Sequence, residues 1–163
     1  MSRMALSLRP ATNTDDAFSL QVYASTRANE MALVPWSDEQ KQWFVEMQFN
    51  AQRTSYRQER PNAEWLILMQ EKNAVGRMIV DRSDDVIRLM DIALLPEYRN
   101  QGIGSKFMND LIQESRETGK SILLHVEGYN PAFNLYSRMG FKKIGEQSFY
   151  VAMEWAPEVR TPF

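Results

Sequence analysis

The chain has 163 residues, 44% of them apolar and 25% charged, which fits one globular domain over residues 1–163 and leaves little room for a second. A net charge of −2 argues against a broad nucleic-acid or anionic-membrane surface. With no cysteine and one histidine, disulfides, thiolate metal sites, a cysteine nucleophile and a His-rich metal centre are excluded.

The opening "MSRMALSLRP" lacks the apolar core of a signal peptide. No apolar run approaches the ~20 residues of a membrane span. A soluble, cytoplasmic, metal-free protein is the expectation. "ALSLRPA" alternates apolar and polar residues before Pro10 and predicts a first strand. A helix is expected from about Asp15, with an acidic first turn and Ala17, Leu20, Ala24 and Ala28 on one face. Ser37 stands three residues before Gln40, a capping-box spacing. The helix it opens is expected to carry Trp43, Phe44, Met47 and Ala51 on its apolar side and to stop before Pro61.

"WLILMQ" and "AVGRMIV" flank the polar "EKN" and predict a hairpin. "VIRLMDIALL" is a further strand, stopped at Pro96. In the next helix Ile103, Phe107, Leu111 and Ser115 recur at helical spacing and Gly119 is the stop. "SILLHVE" reads as a strand. "NPAFNLYSRMG" reads as a short helix, capped by Asn130, with Pro131 in its first position and Gly140 at its end. "FKKIGE" and "SFYVAMEW" predict a closing hairpin, and "APEVRTPF" a surface tail. Residues 86–127 form a strand–helix–strand crossover, whose strands are parallel. The flanking hairpins make the sheet mixed.

The segment "PEYRNQGIGSKFM" sets Gly102 and Gly104 where a helix should begin, at a cost of roughly 1 kcal/mol each relative to alanine. A helix N-terminus offers unpaired N–H groups and a positive dipole end, and glycine lets an anion approach the backbone. Arg99 can add a charge-assisted contact. No G-x-x-x-x-G-K-[ST] is present, and Phe107 stands where a third G-x-G-x-x-G glycine would be, so neither an NTPase loop nor a dinucleotide fold is indicated. Alone, the two glycines read better as a loop that happens to be glycine-rich. Alone, "NPAFNLYSRMGF", with Ala132 and Tyr136 on one helix face, reads better as a capped amphipathic helix around a core tyrosine.

Together the two segments resemble the GNAT superfamily of acetyl-CoA-dependent N-acetyltransferases. "DIALLPEYRNQGIGS" fits the family's strand followed by [QR]-x-x-G-x-[GA], and "NPAFNLYSRMGF" fits its N-x-x-A-x-x-L-Y-x-x-x-G-F segment. The likeness runs from about Trp65 to Trp155. Asn130 lies one residue closer to Ala132 than in the family pattern, so a shortened turn is expected after "LLHVE". The resemblance implies an α/β fold: a mixed, twisted sheet of about seven strands flanked by about four helices.

It also implies a site. Coenzyme A pyrophosphate would rest on the backbone of Arg99, Asn100, Gln101, Gly102, Ile103, Gly104 and Ser105, beside Asn130 and Tyr136. The pantetheine arm would pair with Ile92, Ala93 and Leu94. Lys106, one turn into the helix, is expected to be solvated. Tyr136 would protonate the departing thiolate. Relatives place a basic Glu or His at positions matching Arg88 and Met90, neither of which can serve. Others carry a Glu just before the valine of the next strand, which is His125 here. An unperturbed imidazole pKa near ~6.5 suits a base, while a buried histidine bonded within the sheet is an equal alternative. Glu127 alternates onto the same face as His125 and is a candidate to act as base, to guide a water chain or to bind the amine. Asp91 is read as structural.

The partners implied are acetyl-CoA and an amine, with neither nucleic acid nor membrane. Glu30, Met31, Trp36, Phe149 and Tyr150 are candidate acceptor-lining residues, or ordinary core and rim. Dimers are common in the family, and "SFYVAMEW" is the candidate contributor to one. An acyl-CoA-binding sensor without turnover is the alternative function.

Overall fold

The computed structural model describes residues 5–158. The start of the opening segment, residues 1–4, and the end of the expected surface tail, residues 159–163, lie outside them. The elements run β1 (Leu6–Pro10), α1 (Asp16–Ala32), α2 (Asp38–Glu59), β2 (Glu64–Gln70), β3 (Asn73–Asp81), β4 (Ile87–Leu94), α3 (Ile103–Thr118), β5 (Ile122–Glu127), α4 (Ala132–Arg138), β6 (Lys142–Gln147) and β7 (Tyr150–Trp155). Short 3-10 turns, Asn13–Asp15 and Pro96–Tyr98, precede α1 and follow β4. The seven strands form one mixed sheet in the order β1-β2-β3-β4-β5-β7-β6. This is the order of elements the sequence predicts. Among the described residues no helix is long and apolar enough to cross a membrane.

Contacts divide the chain into two compact units, Met1–Ile79 with Asp91–Gly104, and Val80–Met90 with Ser105–Phe163. In the first, β1 pairs antiparallel with β2 from Leu6↔Gln70 to Pro10↔Leu66. The turn into α1 is fixed by Asp15, whose carboxylate accepts from Arg9 Nη1 at 2.9 Å, Arg9 Nη2 at 2.7 Å and the Thr12 N–H at 2.8 Å. Ser37 and Gln40 close the expected capping box: the Gln40 N–H donates to Ser37 Oγ at 3.2 Å and the Ser37 N–H to Gln40 Oε1 at 3.0 Å.

The buried faces of the two helices follow the periodicity only in part: Leu20 and Ala24 pack on the core as expected, and Phe44 is half-buried. Val22 and Tyr23 are the buried residues of α1, while Ala17 and Ala28 are exposed. In α2 Val45 and Phe49 are buried, whereas Trp43 is 66% and Met47 44% exposed. Tyr23, Val45 and Phe49 form a cluster, with Leu20, Ala24 and Met31 packed on it and the Tyr23 and Phe49 rings 5.7 Å apart. Apolar residues stand at helical spacing on two sides of α2, and periodicity alone does not say which side meets the core.

In the second unit β4 runs parallel to β5 from Ile87↔Ile122 to Leu89↔Leu124, the predicted crossover. β7 pairs antiparallel with β5 and with β6. Ile103, at the end of the first unit, and Phe107, Leu111 and Ser115 are all buried, as their spacing predicts, and Met108 and Ile112 widen that stripe. Gly119 (φ 76°) and Gly140 (φ 103°) sit at the helix ends in the left-handed region. Arg82 grips Glu114 of α3 through two hydrogen bonds, at 2.7 and 3.0 Å.

Candidate active site

The first unit holds the glycine loop. β4 ends at Leu94, the Leu95 N–H donates to the Val75 carbonyl at 2.9 Å, and Pro96 opens a single 3-10 turn. Beyond it Asn100 (φ 62°) and Gly102 (φ 81°) both adopt left-handed backbone, with Gln101 between them outside that region. Left-handed residues in a turn before a helix are a backbone arrangement found in anion-binding loops, and these two stand just before α3. A Cβ at Gly102 would meet no protein atom within 4 Å, and one at Gly104 only Leu94 Cδ1 at 3.8 Å. The glycines therefore keep open a surface that the protein's own side chains do not fill. Ile103, 3% exposed, anchors the turn beneath.

Arg99 does more than carry charge. Its Nε donates to the Leu94 carbonyl at 3.0 Å and its Nη2 to Ser25 Oγ of α1 at 3.1 Å. Gln101 Nε2 donates to the Glu97 carbonyl at 2.8 Å. The loop is thus tied down by its own side chains. Lys106 forms an ion pair with Asp110 one turn on.

Two further features hold the strand that leads into the loop, and sequence reasoning missed both. At Gly76 in β3, any Cβ would collide with the Ala93 carbonyl oxygen, so only glycine admits this close approach of β4. The next residue, Arg77, is 4% exposed. Its Nε donates to Asp91 Oδ2 at 2.7 Å and its Nη2 to Gln52 Oε1 of α2 at 2.8 Å. Its guanidinium lies 5.7 Å from the centre of the Tyr23 ring and 5.6 Å from that of Phe49. A lone glycine followed by an arginine inside the apolar "AVGRMIV" is the signal that was there to be read. Asp91 is in this clamp, in keeping with its structural reading. The register of β4 with β5 covers Ile87–Leu89 and does not extend to Ile92, Ala93 and Leu94.

The second unit holds the remaining candidates. His125 and Glu127 share one face of β5, the face opposite buried Leu124 and Val126. His125 is exposed, which overturns the alternative of a buried sheet histidine, and Glu127 is half-buried. Their register partners on β7 are Ala152 and Tyr150. After β5 the chain turns in four residues, the Asn130 N–H donating to the Glu127 carbonyl at 2.9 Å. Asn130 Oδ1 accepts from the Ala132 N–H at 2.9 Å, at the start of α4, while the N-cap position itself falls on Pro131 rather than on Asn130 as expected. Tyr136 is 9% exposed, its ring 5.7 Å from that of Phe141. Arg88 is paired with Asp84 at 3.1 Å.

The acceptor candidates divide. In the first unit Met31 packs on the Tyr23 cluster, Glu30 pairs with Arg27 at 3.3 Å, and Trp36 is 43% exposed with its edge against Phe44. In the second, Phe149 and Tyr150 are 77% and 47% exposed at the turn of the β6–β7 hairpin.

Residues 28–141 match the sequence profile of the Acetyltransferase (GNAT) family. The chain belongs to the GNAT acetyltransferase family. Among curated GNAT-like relatives, human N-acetyltransferase 8 is 29% identical over 77% of this chain and 57% of its own length. The [Ribosomal protein bS18]-alanine N-acetyltransferase of Haemophilus influenzae is 30% identical over 52% of this chain and 59% of its own. The chain thus spans under three fifths of the length of either relative. The fold of PaiA N-acetyltransferase from Thermoplasma acidophilum, solved in complex with coenzyme A, is similar at a TM-score of 0.71 and 18% identity, covering 94% of this chain and 99% of that one. The ribosomal-protein-S18-alanine N-acetyltransferase from Escherichia coli follows the same GNAT fold, with a TM-score of 0.62 and 20% identity, covering 96% and 97% of the two chains.

Proposed function

We propose that the protein is an N-acetyltransferase that moves an acetyl group from acetyl-CoA directly to an amine. The observation that carries this reading is the loop before α3. Left-handed backbone at Asn100 and Gly102, and open space over Gly102 and Gly104, fit a pyrophosphate lying on backbone amides. The same residues fit the family's coenzyme A motif. One relative of the same fold was crystallised with coenzyme A. In this reading Arg99, Asn100, Gln101, Ile103 and Ser105 complete the phosphate cradle. Ile92, Ala93 and Leu94 offer strand-edge groups to the pantetheine amides. Asn130, whose Oδ1 accepts from the Ala132 N–H at the start of α4, borders the donor.

Acetyl-CoA supplies an activated acyl carbonyl. The acceptor nitrogen forms a bond to that carbon, the C–S bond breaks, and the products are an acetylated amine and coenzyme A. An alkyl amine with a pKa near ~10 is mostly protonated at neutral pH, and freeing it costs roughly 4 kcal/mol. His125, which is exposed, and Glu127 on the same strand face are the groups to accept that proton, directly or through water. Tyr136 gives its proton to the sulfur as the thiolate leaves. Glu30, Met31, Trp36, Phe149 and Tyr150 contribute to acceptor selection.

Thiol release from acetyl-CoA, measured against polyamines, amino acids, aminoglycosides and peptide N-termini, tests the reading. At least one amine is expected to raise the rate above background hydrolysis. Tyr136→Phe is expected to lower kcat more than it weakens acetyl-CoA binding; equal turnover removes its role. If His125→Ala and Glu127→Gln both leave the pH–rate profile unchanged, neither is the base. The paired Arg88, standing where relatives carry a base, favours a second reading as an acyl-CoA sensor without turnover. Binding of acetyl-CoA with no acceptor-dependent rate across the panel would establish that one instead.

A further inference from the structure

A cleft at one end of the first unit has no part in the proposed reaction. Asn13, Asp16 and Ser19 recur every three residues through the turn into α1 and its start. Phe49, Arg53 and Arg57 recur every four along α2, on one face. Both rows line one cavity of about 170 Å³, together with Trp65 of β2. The Ala11 N–H donates to the Trp65 carbonyl at 2.8 Å and closes the β1–β2 ladder there. The volume is below the ~300–1,000 Å³ of cofactor and drug-sized sites, so it suits one small molecule. The donor loop is elsewhere. The Leu95 N–H reaches the Val75 carbonyl near the start of β3, so that loop leaves the sheet beside the β2–β3 turn. Trp65 is at the far end of β2, about 17 Å of strand from Gln70.

The polar groups of this cleft are only partly matched within the protein. Arg53 is held: its Nη1 lies 3.3 Å from Asp16 Oδ2, and its Nη2 donates to Asn50 Oδ1 at 2.8 Å. Its guanidinium is 5.2 Å from the centre of the Phe49 ring. Arg57 is not held in this way. Among the described residues it pairs with no carboxylate, and its guanidinium lies 5.2 Å from the centre of the Trp65 ring. The side chains of Asn13 and Ser19 also have no hydrogen-bond partner among the described residues. A concave site with aromatic walls and a few unsatisfied polar groups is the usual form of a small-ligand site.

We propose that this cleft binds a small organic carboxylate with an aromatic or apolar body, its carboxylate on Arg57 and its body against Trp65. The charges select the anion. Asp16 compensates Arg53, which leaves the single charge of Arg57, and a carboxylate matches it. The guanidinium presents a planar pair of N–H donors in the geometry a carboxylate accepts. Asn13 and Ser19 supply neutral donors for the remaining lone pairs. The walls select the body. A free phosphate carries more charge than the cleft compensates and leaves the Trp65 and Phe49 walls without an apolar partner.

Benzoate, added at low salt to the full chain carrying nitrogen-15 in its tryptophans, tests this by NMR. The chain has four tryptophans, and Trp65→Phe identifies which indole N–H signal is that of Trp65. Benzoate is expected to shift that signal with a dissociation constant on the order of 1 mM, as suits so small a ligand. Benzamide, which keeps the shape without the charge, should bind at least tenfold more weakly, and so should acetate, which lacks the ring. Arg57→Gln should weaken benzoate at least tenfold with an unchanged melting temperature, and Arg57→Lys should recover part of that loss. Ser19→Leu, which fills the cleft from α1, should abolish the shift. No shift of the Trp65 signal up to about 20 mM benzoate, well above the expected constant, would overturn the proposal. So would benzoate binding unchanged by Arg57→Gln, benzamide binding as tightly as benzoate, or phosphate displacing benzoate at equal concentration. The measurement needs neither acetyl-CoA nor an acceptor, so failure here leaves the proposed activity as it stood.

Discussion

At the scale of single residues, three glycines do three different jobs, and substitution tells them apart. Gly102 has φ at 81°, where a side chain strains the backbone whatever space surrounds it. Gly102→Ala should cost about 1 kcal/mol of stability or more, so its loss of ligand binding would be ambiguous. Gly104 is not in that region and sits in the first turn of α3, with only Leu94 Cδ1 near a new Cβ. Gly104→Ala should therefore leave the melting temperature unchanged or raise it, by up to about 1 kcal/mol of stability. Coenzyme A affinity, read by calorimetry, should fall at least tenfold if the pyrophosphate lies on this backbone. Gly76 is the opposite case. Alanine there drives a methyl into the Ala93 carbonyl, and a loss of about 1–3 kcal/mol or more is expected in denaturant unfolding.

At the scale of elements, the buried Arg77 joins α1, α2, β3 and β4 of the first unit. Asp91→Asn removes the only carboxylate on Arg77 among the described residues and leaves its charge facing neutral amides at positions 52 and 91 and two aromatic rings. A loss of about 3 kcal/mol is expected by urea unfolding. The double change Arg77→Met with Asp91→Asn should recover part of that loss, because no buried charge is then left unpaired. Such a clamp shows where reading the chain succeeds and where it does not. Element order, the Ser37–Gln40 box, the α3 stripe and the Gly119 and Gly140 stops were legible because each depends on neighbours a few residues away. The core face of α2 was not, and that of α1 was legible only at Leu20 and Ala24. Val45 and Trp43 have equally good helical spacing, and only the presence of Tyr23 on a separate helix decides which of them is buried. The glycine loop was legible as a motif, whereas the tie from Arg99 to Ser25 spans 74 positions and leaves no local trace.

At the scale of the whole molecule, acid should act through the junction of β1 and α1. The Arg9 guanidinium, together with the Thr12 amide, pushes the Asp15 carboxyl down to about 2. A carboxyl held below its ordinary value near ~4 stabilises the fold fully above that value, and the contribution fades as pH falls toward the lowered one. The difference in melting temperature between wild type and Asp15→Asn should therefore be constant at neutral pH and close between about pH 4 and pH 2. Arg9 remains charged throughout this range, so the change reports Asp15 alone.

The clamp around Arg77 also bears on the order in which substrates are felt. Gln52 belongs to α2 and Asp91 to β4, and one guanidinium holds both. If α2 shifts without β4, a buried nitrogen loses its partner, at a cost of about 1–3 kcal/mol. The two elements are therefore expected to move together. On the proposed function, an acceptor that repositions α2 is expected to change the affinity of the proposed pantetheine edge at Ile92 for the donor. Thermodynamic reciprocity then requires the donor to change the affinity for the acceptor by the same factor.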